Sequence, residues 1–521
     1  MREATMKKLK VIIVGAGVGG LSAAMRLAHQ GFDVEVLEKN EGPGGRCGQL
    51  EVDGFKFDVG PTIVLMPEVF EETFSVVGKR LEDYLTLRRC DPNYRIHYRD
   101  GSAITFTSEL TAMGRELERV EKGSFARYLA FLAEGRRQYA SSLERFVGRN
   151  FDNLWQFISG GNWLEMLRIR AHQKAYAHAA RYFRDDRLRA AMTFQTMYLG
   201  ISPYAAPAVY GLLPFSELGV GIWFPDGGLY AIPLALEKAA KELGVKFRYG
   251  CEVKRIDVEG KKATGVQLAS GEKLAADAIL CNADLPWAYR NLLDPAVTRL
   301  PNAERKRYTS SGYLLYIGTK RKLPAEWLHH NVALGHDYAG SFDSIFEKKE
   351  VPADPSFYLN IPSRTDPALA PEGKDAVYVL VPVPHRDAAI DWKVKGPQVR
   401  AQVMTRLKEL GLDLESEIEV ERVYTPDDLG SLWNLEKGSA FGLSHDFWQI
   451  GPFRPSNQDP NVQNLFFVGA STQPGTGLPT VMLSARLVVQ RMVALGRSLG
   501  MNVQPLLPSR IDPADRDRRA A

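Results

Sequence analysis

Gly15, Gly17 and Gly20 stand in the spacing G-x-G-x-x-G, Glu38 follows Gly20 by eighteen residues, and Gly44-Gly45-Arg46 follow soon after. This set suits dinucleotide binding. Gly15 permits a tight turn, Gly17 lets the backbone approach a pyrophosphate, and Gly20 lets helix and sheet pack closely. The first N–H groups of the helix then face the phosphates, where the helix dipole favours an anion. Glu38 ends the next strand and is placed to accept ribose hydroxyls, with Lys39 beside it grouped among the cofactor-binding residues. The GPGGR loop returns the backbone to the pyrophosphate and adds the charge of Arg46, which a plain nicotinamide site does not need. The expected ligand is therefore FAD. The competing reading is a glycine-rich turn without a ligand.

The elements that must position these residues are legible around them. Val11 to Val14 is a short β-branched run, a helix-period segment ends at Gly31, and Phe32 to Leu37 reads as a second strand. The chain of 521 residues is long enough for two or three domains with their own cores. Sixty-six Lys and Arg against 62 Asp and Glu leave a formal charge of +4, too balanced to indicate nucleic-acid binding. Cys47, Cys90, Cys251 and Cys281 form no C-x-x-C pair, so neither a disulfide framework nor a metal site is indicated and a reducing cytoplasm fits. MREATMKKLK runs into the nucleotide motif without a cleavage segment, which argues against a secretory signal. No run of 18 apolar residues is present, so membrane contact is expected to be peripheral.

Along the chain, FKFDVGPT ends in a Gly60-Pro61 turn, and Gly60, Pro61 and Thr62 are candidates for the flavin side; Asp58 and Thr62 also fit plain turn chemistry. A helical pattern is expected from Pro67 to about Tyr84, and a hairpin from Tyr94 to Phe106 turning at Asp100-Gly101. Residues 108–191 read as helical. Within them Trp155, Phe157, Trp163, Leu164 and Met166 accompany Arg168 and Arg170, a combination suited to a bilayer interface. The alternative is a buried helix capped by surface arginines. Residues 196 to 228 are poor in charge and should line a buried apolar surface. The strands GYLLYIG, SFYLNIP and AVYVLVPVP should present one sheet face to a cavity. Gly469 ends a late strand, and Gly477 and Pro479 precede a helix.

GAGVGGLSAAMRLA, EKNEGPGGR, FKFDVGPT, GIWFPDGGLYAIP, GSAFGLSHDFWQIGPFRP and NLFFVGASTQPGTGLPTVMLSAR together resemble the bacterial and fungal type of phytoene desaturase, within the flavin amine oxidase-like superfamily. The resemblance spans nearly the whole chain. It implies an α/β fold: a Rossmann-like FAD-binding domain, a discontinuous α+β substrate domain and a helical membrane-facing insert. The FAD domain is expected at 6–92, 226–299 and 456–500, the substrate domain at 93–225 and 300–455, and a solvated tail at 501–521. By the same resemblance Gly15, Gly17, Gly20, Glu38, Gly45 and Arg46 hold the ADP part of FAD. Val253 meets the adenine side, and Gly469, Pro479, Thr480 and Val481 lie by the isoalloxazine. Members of the family have been argued to use an acid and an arginine in the insert; the stretch Gly148 to Asn153 departs from that pattern and offers Arg149 and Asp152.

The implied reaction is desaturation of a linear polyene taken from a bilayer surface, in carotenoid biosynthesis. A hydrocarbon offers no hydrogen-bonding handle, so selection rests on the shape of an apolar tunnel, at about 0.8 kcal/mol per buried CH2. The proton leaves a carbon next to an allylic cation, so no single titratable side chain is expected to be indispensable. Two rivals are a flavin enzyme acting on amines, which needs an aromatic cage and a polar site, and a lipid-binding protein like the GDP dissociation inhibitors, which would not use the phosphate-loop glycines.

Overall fold

The computed structural model describes residues 8–504. The tail expected at 501–521 therefore falls, beyond Gln504, outside the described residues, as do the first seven residues of the N-terminal segment.

Lys10–Val14, the β-branched run, forms the middle strand of a five-stranded parallel sheet in the order Leu465–Phe467, Ala278–Cys281, Lys10–Val14, Asp33–Leu37, Lys246–Arg248. Its strands come from three separated stretches of chain. Ile13 sits opposite Leu280 on one side and Val36 on the other. Val11 to Val14, Ala278–Cys281 and Leu465–Phe467 are uncharged and buried throughout, because both sheet faces are covered there. Helix Val18–His29 packs on one face, buried along nearly its whole length. A Cβ at Gly20 would stand 2.4 Å from the carbonyl oxygen of Gly15 and 3.3 Å from Ile13, so only glycine lets this helix lie so close to the strand.

Helix Leu478–Ser498 runs against Val18–His29. By length and composition it alone among the described helices could cross a membrane, although the sequence shows no uninterrupted apolar run. Over half of its apolar window is buried inside the protein, and Met482, Leu483, Val488 and Met492 belong to the main core. The core accounts for its apolarity.

A second, seven-stranded sheet has the order Ile418–Tyr424, Ser311–Thr319, Ala376–Val383, Phe357–Asn360, His330–Ala333, Tyr94–His97, Ala103–Phe106. Its period of two divides the work. Tyr313, Leu315, Ile317, Val377, Val379 and Val381 pack with Val399, Val403 and Leu407 of helix Trp392–Glu409. Leu314, Tyr378 and Leu380 take the other face and look into a cavity. The Tyr94 to Phe106 segment forms the expected hairpin, Tyr94 opposite Phe106, with Gly101 at φ 80° in the turn. The helix from Pro67 stops at Ser75, because the chain turns at Gly78 with φ 74° before a short 3-10 turn at Leu81–Asp83. Ile222–Pro225 pairs with Leu87–Cys90, a ladder that ties the charge-poor segment back to the first lobe.

Candidate active site

One cavity of about 650 Å³ joins the two sheets and the helical insert. At one end it is lined by Gly15, Gly17, Glu38, Lys39, Gly44, Gly45, Arg46 and Val253. Gly60, Pro61, Thr62, Gly469, Pro479, Thr480 and Val481 follow along its wall, and Tyr139, Phe146, Phe157, Phe194, Tyr198 and Leu314 line the apolar remainder. Of the residues singled out from sequence for the cofactor, Gly20 alone stands off the cavity wall, in the helix–sheet contact described above.

The residues at the first end suit a pyrophosphate. Helix Val18–His29 opens on Gly17, has no side-chain cap and no acid in its first turn, so its leading N–H groups are left for an anion. Gly17 and Gly44 make a backbone bridge that brings the two glycine loops together. The Glu38 carboxylate accepts from the Ala16 N–H at 2.7 Å and from the Asn40 side chain at 2.7 Å, which fixes it between the glycine turn and the cavity. Lys39 Nζ instead donates to the carbonyl of Leu432 at 2.9 Å, and burial lowers its pKa.

Three residues in and behind the cavity wall were not singled out from the sequence. Asn282 follows strand Ala278–Cys281, and its amide donates to the carbonyl of Gly15 at 3.3 Å. Asp284, two residues on, accepts from Ser471 Oγ at 2.8 Å and from the Glu436 N–H at 3.1 Å. Burial raises its pKa, and Arg46 opposes that rise. Arg46 in turn donates to the carbonyl of Ala440 at 3.1 Å, and burial lowers its guanidinium. The third is Arg454, 2% exposed, whose guanidinium donates to the carbonyls of Thr472, Ser444, Gln449, Leu443 and Ala470 at 2.5 to 3.1 Å. It binds the 443–449 segment to the turn after Gly469. The signal for Asn282 and Asp284 was their place at the end of a parallel strand, where α/β sheets hold ligands.

Asp58 serves as a cap: its carboxylate accepts from the N–H groups of Leu229 and Tyr230 at 2.8 and 3.1 Å, ahead of helix Ala231–Glu242. Burial pushes it up to about 7 against those two bonds. Arg149 and Asp152 do not line the cavity. Arg149 Nε donates to the carbonyl of Glu144 at 2.9 Å, and Asp152 pairs with Arg491 at 2.7 Å on the outside of the insert. The structure does not bring either to the reacting centre. All four cysteines are free thiols. Cys90, however, lies with His329 and His330 in a buried trio whose ligand atoms are within 4.8 Å, a neighbourhood that spacing in sequence could not reveal.

A parallel nucleotide sheet with a glycine-turn anion site, opening into an apolar chamber under a second sheet, defines a flavin oxidoreductase of the amine oxidase type. The family model for flavin containing amine oxidoreductases matches residues 18–493. A zeta-carotene-forming phytoene desaturase from Myxococcus xanthus is 65% identical over 96% of this chain and 97% of its own. A phytoene desaturase from Phycomyces blakesleeanus is 42% identical over 95% and 86%. A crystal structure of an oxidoreductase from Methanosarcina mazei shares the fold, with a TM-score of 0.63 at 18% identity, covering 92% of this chain and 99% of that one. The chain belongs to the flavin-containing amine oxidoreductases and, among them, to the phytoene desaturase group. It is an FAD-dependent oxidoreductase of carotenoid desaturation.

Proposed function

We propose that this chain desaturates phytoene or a related linear polyene, which it takes from a bilayer surface. The carrying observation is the cavity: beyond the nucleotide end its wall is aromatic and aliphatic, from Phe146, Phe157 and Phe194 to Leu314 and Leu380. Such a wall suits a long hydrocarbon, and the 65% identity to a desaturase that forms zeta-carotene supports the polyene over an amine. When bound, FAD supplies the two-electron acceptor for hydride removal. The chain's own residues bind and desolvate: the glycine loops and Glu38 hold the nucleotide, and the apolar wall excludes water and selects by length. The test is incubation of FAD-loaded protein with liposomal phytoene under an electron acceptor. A product spectrum with a lengthened polyene is the expected result; unchanged phytoene with full flavin occupancy overturns the reading.

The bilayer part of the proposal rests on the insert. Trp155 and Trp163 are 72% and 53% exposed, with Leu154, Leu164 and Leu167 exposed beside them. The same short helices, Leu154–Ile158 and Asn162–Arg168, contribute Phe157 and Met166 to the cavity wall. Phe157 packs on Gly451, next to the exposed Phe447 and Trp448, so a second apolar segment joins the patch. Arg168 faces solvent, where it can meet anionic headgroups. Arg170 is turned inward and pairs with the buried Glu134, so it is a structural residue. Replacing both Trp155 and Trp163 with Ser is expected to reduce sedimentation with anionic vesicles at least several-fold while leaving flavin content unchanged. Equal sedimentation of variant and wild type would remove the insert from the bilayer.

A further inference from the structure

Glu217 is fully buried on a π-helical turn, Ser216–Val220, a backbone form that recurs at functional sites. Its carboxyl accepts from Gln195 Nε2 at 3.0 Å through one oxygen, the other oxygen is buried without a hydrogen bond, and the hydroxyls of Tyr198 and Tyr94 stand beside the group. The same Gln195 amide reaches Tyr94 at 3.2 Å, and the backbone carbonyl of Glu217 accepts from Asn93. The titratable groups facing the carboxyl are these two tyrosines: Tyr94 from strand Tyr94–His97 and Tyr198 from turn Phe194–Leu199. Neither is a cation. Burying a carboxyl without a countercharge is costly, and a polyene has no polar group for it to recognise. Recognition therefore does not explain it.

Its surroundings do. Tyr198, Tyr94 and Ser216 line the cavity. Tyr198 stands close to Tyr358, whose hydroxyl lies beside Thr62 and is hydrogen-bonded at 2.6 Å to His330 Nδ1. Thr62 belongs to the Gly60-Pro61-Thr62 stretch of the same wall. A polar strip thus leads along the chamber from the flavin side to the buried carboxyl.

We propose that Tyr198 and Glu217 form the proton acceptor of the desaturation, Tyr198 meeting the substrate and Glu217 standing behind it. This rests on the polyene reading above. In the balanced step, one allylic C–H bond breaks and its hydride, with both electrons, goes to the flavin oxidant. The C–H bond on the neighbouring carbon breaks heterolytically; its electron pair forms the new double bond, and its proton passes to the Tyr198 oxygen as the tyrosine hydrogen passes to the Glu217 carboxylate. Glu217 is a positioning and storage group and acts through Tyr198. Burial pushes its carboxyl up to about 7, against the pull of Gln195, Tyr198 and Tyr94, so it is poised to take a proton near neutrality. Only the carboxylate can accept, so the rate rises with pH through about 7 and falls below it.

The test follows single-turnover flavin reduction by phytoene in FAD-loaded Glu217→Gln, Glu217→Asp and Tyr198→Phe proteins across the pH range bracketing neutrality. In parallel, infrared titration of the wild type without substrate follows the carbonyl band of the protonated carboxyl, assigned by its loss in Glu217→Gln. Expected are an inflection near 7 in the wild-type rate, the same midpoint in the infrared titration, and a rate about 100-fold lower without inflection in Glu217→Gln. Glu217→Asp should restore part of the inflection, and Tyr198→Phe should be slow with the infrared band intact. Wild-type rate and inflection in either Glu217→Gln or Tyr198→Phe overturns the proposal, as does an infrared midpoint unrelated to that of the rate. Should Glu217→Gln fail to fold, Tyr198→Phe and the shared wild-type midpoint decide, the band then assigned by glutamate isotope labelling. Absence of product from the wild type would instead overturn the polyene reading, a result the substrate-free titration keeps separate.

Discussion

Gly17→Val is expected to give folded but colourless protein, with FAD affinity reduced at least 100-fold. Gly17 begins helix Val18–His29 and bridges to Gly44, so both glycine loops converge on it. A Cβ there would stand 2.6 Å from Asn282 Nδ2, the amide that holds the carbonyl of Gly15. The two further methyls of valine would project where the helix N–H groups are open to a pyrophosphate. The amide is the end of a flexible side chain and can move, so the fold survives while the anion site does not. Two factors of ten in affinity correspond to about 2.8 kcal/mol, a size consistent with loss of charge-assisted hydrogen bonds. Flavin absorbance relative to protein, with circular dichroism to verify folding, is the measurement. Stoichiometric flavin in the purified variant would refute this phosphate site.

That site was legible because its signals are local. A β-branched run, three glycines at fixed spacing and an acid at the next strand end are read within thirty residues, and the strand, turn and helix form where the pattern puts them. The alternation of Tyr313, Leu314, Leu315 and Tyr316 likewise carried information, although uncharged residues on both faces conceal which face meets the helix and which the cavity. What escaped is non-local. Asn282 and Asp284 reach the glycine turn and Ser471 only after strands far apart in sequence pair side by side. Glu217 lies in a charge-poor run expected to line a buried surface, yet nothing local singles it out until the π-helical turn sets it among Gln195, Tyr94 and Tyr198. Arg149 and Asp152 were selected through a family pattern at a position where this chain departs from it, and packing against Glu144 and Arg491 takes them away from the cavity. Arg454 stands in the block GSAFGLSHDFWQIGPFRP, which carries the family resemblance but no indication that its arginine would be interior.

The consequence of that interior arginine is the largest stability effect expected here. Arg454→Met should lower unfolding free energy by about 4 to 5 kcal/mol, at the exceptional end for a point substitution. The chain length of methionine fills part of the space, so the loss is not chiefly one of volume. It comes from carbonyls: those of Thr472, Ser444, Gln449, Leu443 and Ala470 all lose a charged donor inside the protein, and each unmatched buried acceptor costs about 1 to 3 kcal/mol before relaxation. Neighbouring bonds recover some of that cost. Gln449 and Asn457 still bind nearby carbonyls, and His445 Nε2 still accepts from the Thr476 N–H. Because the same carbonyls fix the turn after Gly469, which lines the cavity, flavin should dissociate before global unfolding. Arg454→Lys keeps the charge but offers three donors from one point where the guanidinium spreads five, so it should restore less than half of the loss. Urea unfolding followed by circular dichroism and flavin fluorescence separates the two transitions. A variant that unfolds within 1 kcal/mol of wild type, or loses both signals together, would show that this clasp is dispensable to the cavity wall.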